Sequence, residues 1–599
     1  MRGKLKGVAV SALGVALALV LGACSGGGTE AIAFKNVSGD GADVISMTEA
    51  RSFEATLPVS GQSVEELQQL IDDGKVTWSL SREEGMQEDT EAWPYQYLGG
   101  SIEEWETVET SQQPQTEFFT NIETTAEEVD GGAALKLTFD SNTMFGYDGI
   151  DNRDRSQLRD TILDYTGIYE LTCDVDGKTA GTAEVDVRPY DQYRTQAEID
   201  AELPELVDEA KENGLYAEVV EIGQSAEGRP INAVFVTKEE SDLDEYLELT
   251  ERMETEPATV QEEVEAGTLE YKVPIVYSNI HADEIIGSDG VMEFLRALVK
   301  NEPIAYRTVA GLTEEGQATL EQEMASDGTA WSELIANDVT GVGYIQGEGQ
   351  MNPTDDPEAN PDASVDLTDE EFARYYNVED RTLDPDALLD DVFFILVPSE
   401  NVDGRTYNVR TGGNGLDLNR DNTYQTQPET QAMTELIAKW DPISLHEIHG
   451  YYTQFQVEPC SPTHDPNNEY DLFIDTGMQQ GEAFAAAAIS NNDTINSVQI
   501  PMRDYLKVTD DGSLEWVPFD DMSSSYTPQY AMLHGVNAYT VELPSGPQDA
   551  VTAVKYGFVG NAAFVSENKD EMFLNQLERY EGGIEDIDAD EVRPYYVSR

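Results

Sequence analysis

The sequence predicts an α/β domain with a mixed sheet, preceded by an all-β sandwich of immunoglobulin-like character. Three observations predict it. Over residues 31–190 the apolar positions recur every second residue, the period of half-buried strands. From about Glu198 the period becomes helical, and strand-like and helix-like runs then alternate along the chain. At 599 residues the chain exceeds what one core ordinarily holds, so two or three domains are expected.

Ahead of the sandwich, Arg2, Lys4 and Lys6 precede an apolar run from Val8 to Leu21. That run is short for a membrane span and has the layout of a signal peptide, residues 1–23. It ends in Leu21-Gly22-Ala23-Cys24, which resembles a bacterial lipobox. Cleavage before Cys24 and acylation of its thiol would hold the chain at the extracellular face of a bacterial membrane. Residues 24–30, with Ser25-Gly26-Gly27-Gly28, then form a flexible tether.

The formal net charge of −83 excludes nucleic acid as a partner, because phosphate binding needs the opposite sign. An acidic or saline-adapted proteome accounts for that charge, so it says little about substrate. Of three cysteines, Cys24 is the acylation candidate, and Cys173 and Cys460 make neither a disulfide framework nor a metal site.

Within the sandwich, Leu135, Leu137 and Phe139 alternate with polar residues, and Tyr169, Leu171, Cys173 and Val175 do the same. A turn at Asp176-Gly177 leads to Ala183, Val185 and Val187. No cluster here looks catalytic, so the region reads as a spacer or adhesion module.

The second domain, residues 191–599, opens with a helix whose buried face holds Ile199, Leu203, Leu206, Val207 and Ala210. Strands are expected at Tyr216–Ile222, Ile231–Val236, Val273–Ile280, Val392–Val397, Ile443–Leu445 and Ala538–Leu543, with a helix through Val291–Leu298. Residues of about 301–388, with the polar loop from Pro353 to Pro361, read as an acidic insertion and a solvated excursion.

Histidine is scarce, five in the chain, and three fall within His281–Glu284 and His446–His449. His281 and Glu284 follow the apolar run from Val273 to Tyr277, and a buried strand delivers such a pair to the sheet's carboxyl edge, where open α/β sheets bind ligands. Two histidines and a glutamate form a known catalytic zinc set that leaves a fourth position for water. Alternation after Ile443 and Leu445 favours His446 as the third ligand, with His449 its rival. The segment is not H-E-x-x-H, since its histidines are three apart.

Several blocks resemble the zinc metallocarboxypeptidases of the carboxypeptidase A type. Gly223-Gln224-Ser225-Ala226-Glu227-Gly228-Arg229-Pro230-Ile231 is similar to that family's G-x-S-x-E-G-R-x-I turn. His281-x-x-Glu284 resembles its paired zinc ligands, and the family's position again favours His446. Asn401-Val402-Asp403-Gly404, Arg410 and Gly415-Leu416-Asp417-Leu418-Asn419-Arg420 resemble its N-P-D-G, R and G-x-D-L-N-R blocks, with Val402 in place of proline. Tyr539-Thr540-Val541-Glu542-Leu543 resembles the strand bearing its general base.

The resemblance, over roughly residues 191–599, implies one zinc ion held by His281, Glu284 and His446. It implies Glu542 as the base that moves the proton of a water, and Arg410 as the cation beside the developing oxyanion. Asn419 and Arg420 would grip the substrate's terminal carboxylate. The family's mobile substrate-binding tyrosine aligns best with Tyr526, with Tyr530 the runner-up. Asp283 stands where pancreatic-type members carry an arginine that helps bind extended substrates. The implied function is a membrane-anchored carboxypeptidase acting on the C-termini of peptides or proteins. A peptidoglycan stem-peptide amidase or carboxypeptidase and an inactive peptide-binding lipoprotein are its rivals.

Overall fold

The structure is a computed structural model that describes residues 30–39, 41–47, 49–85, 99–101, 119–142, 166–327, 340–342, 345, 367–407, 409–450, 456–459, 474–491, 506–508, 514–516, 525–543 and 549–585. The expected signal peptide, the lipobox with Cys24, Cys460 and the loop 353–361 lie outside the described residues. Among the described residues no helix is long and apolar enough to cross a membrane.

The N-terminal strands are β1 (Glu30–Ala31), β2 (Ala33–Asn36), β3 (Val44–Ser46), β4 (Arg51–Val59), β5 (Val76–Gly85), β6 (Gly99–Ser101), β7 (Phe119–Val129), β8 (Gly132–Ser141), β9 (Gly167–Val175) and β10 (Lys178–Arg188). One sheet runs β1-β10-β9-β5-β6 with β3 also on β10, and the other runs β2-β4-β8-β7. Their apolar faces meet: a Cβ built on Gly181 of one sheet would lie 2.4 Å from Leu57 Cδ1 of the other. The expected alternation is observed, with Leu135, Leu137, Phe139, Tyr169, Leu171, Cys173, Val185 and Val187 all buried. Burial pushes the Cys173 thiol up to about 12, so it stays protonated in the core. The turn between β9 and β10 uses positive φ at Asp176 (51°) and Gly177 (74°), the signature of a tight hairpin. A helix at Val64–Asp72, closed by a Ser63–Glu66 capping box, interrupts the all-β pattern.

The helix Gln196–Glu212 then buries Ile199, Leu203, Leu206, Val207 and Ala210, the predicted face. Further strands are β11 (Tyr216–Gln224), β12 (Pro230–Thr237), β13 (Val273–Ser278), β14 (Ile304–Leu312), β15 (Tyr376–Leu383), β16 (Val392–Val397), β17 (Ser444–Ile448), β18 (Gln456–Pro459), β19 (Leu506–Val508), β20 (Leu514–Trp516) and β21 (Asn537–Glu542). Seven of them form a mixed sheet in the order β11-β12-β16-β13-β17-β21-β18. Its middle four, β16, β13, β17 and β21, run parallel. Every residue of β13, β16 and β17 is buried, as a parallel sheet covered on both faces requires. The helices Ile286–Val299, Ile474–Ser490 and Asp549–Glu567 pack about this sheet.

The described parts of 301–388 are packed, not a solvated excursion. β14 and β15 pair as an antiparallel ribbon, and Tyr306, Val309, Tyr375 and Tyr376 are buried. Glu482, buried in the helix Ile474–Ser490, accepts hydrogen bonds from Thr340 N (2.7 Å), Thr340 Oγ1 (3.1 Å) and Gly341 N (3.2 Å), which fastens the insertion to the domain. Burial pushes that carboxyl up to about 8 despite those donors.

Candidate metal centre

Parallel pairing aligns the carboxyl ends of β16, β13, β17 and β21, and the chemistry-bearing residues collect there. Asn401 and Asp403 follow β16, His281 and Glu284 follow β13, and His449 follows β17. β21 ends on Glu542 itself. Ile448 pairs with Val541, and His449 N donates to Val541 O at 2.7 Å, so one step further along the strands His449 comes beside Glu542.

His281, Glu284 and His449 form a group whose ligand atoms lie within 4.8 Å of one another. His281 Nδ1 lies 2.9 Å from Glu284 Oε2, and His449 Nδ1 lies 3.0 Å from both His281 Nδ1 and Glu284 Oε2. The outer nitrogens are committed elsewhere. His281 Nε2 meets Asp417 Oδ1 at 3.1 Å and His449 Nε2 meets Glu447 Oε2 at 2.7 Å. A carboxylate on each Nε2 draws the ring proton there and leaves the Nδ1 lone pairs facing each other and a carboxylate oxygen. Three buried lone pairs converging on one point repel unless a cation lies between them, so the residues present fit a divalent metal. Burial alone would raise the Glu284 carboxyl; imidazolium forms of His281 and His449, donating from Nδ1, bring it well below the usual range, so protons and a metal ion are alternative occupants of this point.

His446 is not in this group, and the structure corrects that expectation. Its side chain enters the core inside β17, stacked on Tyr539 at 4.3 Å and Phe484 at 5.1 Å between ring centroids. Tyr277 meets it edge-on. Burial without a charged partner pushes the imidazole well below its ordinary value and keeps it neutral. The reason is pleat geometry. Residues 444–448 alternate faces within the sheet, and only residue 449, past the strand, can turn to the edge where His281 lies.

Arg410 lies at this centre: Nη1 donates to Glu284 Oε1 and Nε to Asp417 Oδ2, both at 2.9 Å. Asp417 therefore bridges His281 and Arg410, and those partners outweigh its burial and hold its carboxyl far below the usual range. Asn419 Oδ1 accepts from Thr527 N at 2.8 Å, so what this side chain can offer a carboxylate is its amide N–H groups. Arg420 is exposed, with its guanidinium 4.1 Å over the Tyr526 ring. Tyr526 thus stands beside Arg420, whereas Tyr530 is buried in the following short helix.

The turn around Gly228 (φ +84°) has an architectural role. Asp403 accepts from Ser225 Oγ (2.6 Å), Glu227 N (3.0 Å) and Arg229 Nη1 (2.6 Å), tying the turn to the segment after β16. The sequence reading missed two functional residues, Asp417 as a bridge and Glu447 behind His449. A carboxylate two residues before a ligand histidine, or inside the Gly415–Arg420 block, was the available signal.

Residues 205–313 match the family described as zinc carboxypeptidase. Among solved structures the chain is similar to a metallo-carboxypeptidase from Burkholderia cenocepacia, at 15% identity over 90% of this chain and 99% of that chain, with a TM-score of 0.36. It is also similar to a metallo-carboxypeptidase from Pseudomonas aeruginosa in complex with (2-guanidinoethylmercapto)succinic acid, at 12% identity over 88% of this chain and 92% of that one, with a TM-score of 0.33. A murein-tripeptide amidase from Escherichia coli O157 is similar at 13% identity over 58% of this chain and 91% of its own, with a TM-score of 0.25. Such likenesses are too distant to carry a functional argument. Among curated proteins none matches.

Proposed function

We propose that this chain, whose residues 205–313 match the zinc carboxypeptidase family model, is a zinc metallocarboxypeptidase that removes C-terminal residues from peptides. The observation that carries this reading is the convergence of His281 Nδ1, Glu284 and His449 Nδ1 at the carboxyl edge of the sheet, with Arg410 and Glu542 on the same edge. A zinc ion bound there supplies an acidified water and polarises the scissile carbonyl.

The chain's own residues do the rest. Asn419 and Arg420 hold the substrate's terminal carboxylate, Arg420 kept in place over Tyr526. Arg410, fixed by Glu284 and Asp417, sets a positive charge next to the carbonyl oxygen as it becomes anionic. Glu542 takes the proton of the attacking water and returns it to the nitrogen of the leaving amino acid, so the bond that breaks is the last peptide bond.

If Asn419 and Arg420 read a free carboxylate, amidating a peptide's C-terminus removes a charge-assisted bond of about 1.5–3 kcal/mol, roughly ten- to hundredfold in rate. Parallel kcat/KM measurements on free and amidated peptides check it. Equal rates would move the reading to an endopeptidase or to an amidase of peptidoglycan stem peptides. A chelator that stops turnover, with zinc restoring it, is the companion test of the metal.

The site of action follows from the lipobox. The reading is a lipid anchor on Cys24 at the outer face of the bacterial membrane, resting on sequence alone. Cys24→Ala then shifts the protein from the membrane pellet to the soluble fraction after a high-salt wash. Unchanged pelleting of the variant would refute the anchor.

A further inference from the structure

Behind His449 lies a second carboxyl group that the proposed reaction does not use. Glu447 sits in β17 opposite Ser278 of β13, with no exposed surface. Glu400, three residues past β16, is also buried, and its main-chain N–H donates to Asn279 O at 3.0 Å. Glu447 Oε2 accepts from His449 at 2.7 Å, while among the described residues Glu447 Oε1 and Glu400 Oε1 meet no N–H or O–H donor. Two buried carboxyl oxygens left without a donor on neighbouring groups repel each other, and a proton carried by one of the two groups relieves both. Burial first, then the charge of Glu447, pushes the Glu400 carboxyl well above the carboxylate range.

We propose that Glu447, backed by Glu400, is the positioning residue of the third ligand: it takes the Nε2–H of His449 and so turns the Nδ1 lone pair to the point where His281 and Glu284 converge. The proposal rests on the metal-centre reading above. It adds that the free energy of metal binding depends on two residues that touch neither metal nor substrate. Without Glu447 the imidazole is free to carry its proton on Nδ1, which puts a hydrogen where a ligand lone pair is needed. Outer carboxylates of this kind typically change metal affinity about 10–100-fold.

The test is zinc affinity of the purified chain, by competition with a chromophoric chelator, together with the imidazole nitrogen shifts of His449 in the metal-free protein at a pH high enough to leave the ring neutral. Glu447→Ala should weaken zinc about 10–100-fold and shift His449 away from the Nε2–H form. Glu447→Gln, whose amide oxygen can accept the same hydrogen bond, should recover most of the affinity. Glu400→Gln carries a permanent N–H donor and should bind zinc as wild type does, whereas Glu400→Ala should not. If wild type binds no zinc, the metal-centre reading itself fails. If wild type binds zinc and folded Glu447→Ala binds it equally, with His449 unshifted, the positioning role alone is overturned. Loss of the Nε2–H form in the nearly isosteric Glu447→Gln would overturn it as well.

Discussion

Replacing Glu542 by glutamine leaves a protein that binds zinc and peptide but turns over at least about 10²- to 10⁴-fold more slowly, the usual contribution of one general base. The expectation comes from where β21 ends. Glu542 stands beside His449 across the parallel pairing, yet it is not one of the three convergent ligand atoms. Glutamine keeps the shape and hydrogen-bonding reach of the side chain and removes only the proton acceptor. Because the proposed mechanism has the same carboxylate serve both the attacking water and the departing amine, the loss should fall at the upper end of that range or beyond it. Turnover of a free-carboxylate peptide, read with zinc content and peptide affinity, decides. A fully active variant sinks the mechanism. A wild type that binds both zinc and peptide and turns nothing over would make the chain a binding protein instead.

Much of the molecule was legible because burial leaves a strong imprint on sequence. β16 was predicted residue for residue, since a six-residue apolar run in a covered parallel strand has only one length that fits. The face of the helix Gln196–Glu212 and the alternation of β8 to β10 were legible for the same reason. The insertion was not. Its packing depends on Glu482, far along the chain, accepting bonds from Thr340 and Gly341, and a buried glutamate with backbone partners looks like any surface glutamate in one dimension. Period alone also favours a histidine that the structure keeps apart from His281 and Glu284. Alternation identified which residues of β17 share a face, but it cannot say whether that face turns to the core or toward the active edge. His446 follows the pattern and is a core ring between Phe484 and Tyr539. The rule that points to His281 points to His449 as well: it places candidate ligands past the strand end, and His449 is the first residue beyond β17. Gly450 agrees, since a Cβ there would stand 3.4 Å from Glu284 Cβ.

The two histidines separate cleanly by experiment. His449→Ala removes one of three ligand atoms, so zinc affinity should fall by more than the roughly 10–100-fold that outer-sphere changes produce, and turnover should go with it. It also leaves the buried Glu447 without its donor, so some stability, on the order of 1–3 kcal/mol, should be lost with the metal. His446→Phe should cost stability alone. Phenylalanine keeps the stack on Tyr539 and Phe484 but overfills a tightly packed site, at about 1–3 kcal/mol of stability. It also gives up the long 3.5 Å contact of His446 Nδ1 with Ser444 Oγ. The proposed metal site, built from His281, Glu284 and His449 past the strand ends, is untouched, so metal content and kcat/KM should stay near wild type. Zinc per chain by elemental analysis and the urea midpoint of each variant suffice to check both. A folded His446→Phe that has lost its zinc, or a His449→Ala that keeps it, would restore the ligand set that alternation alone suggests.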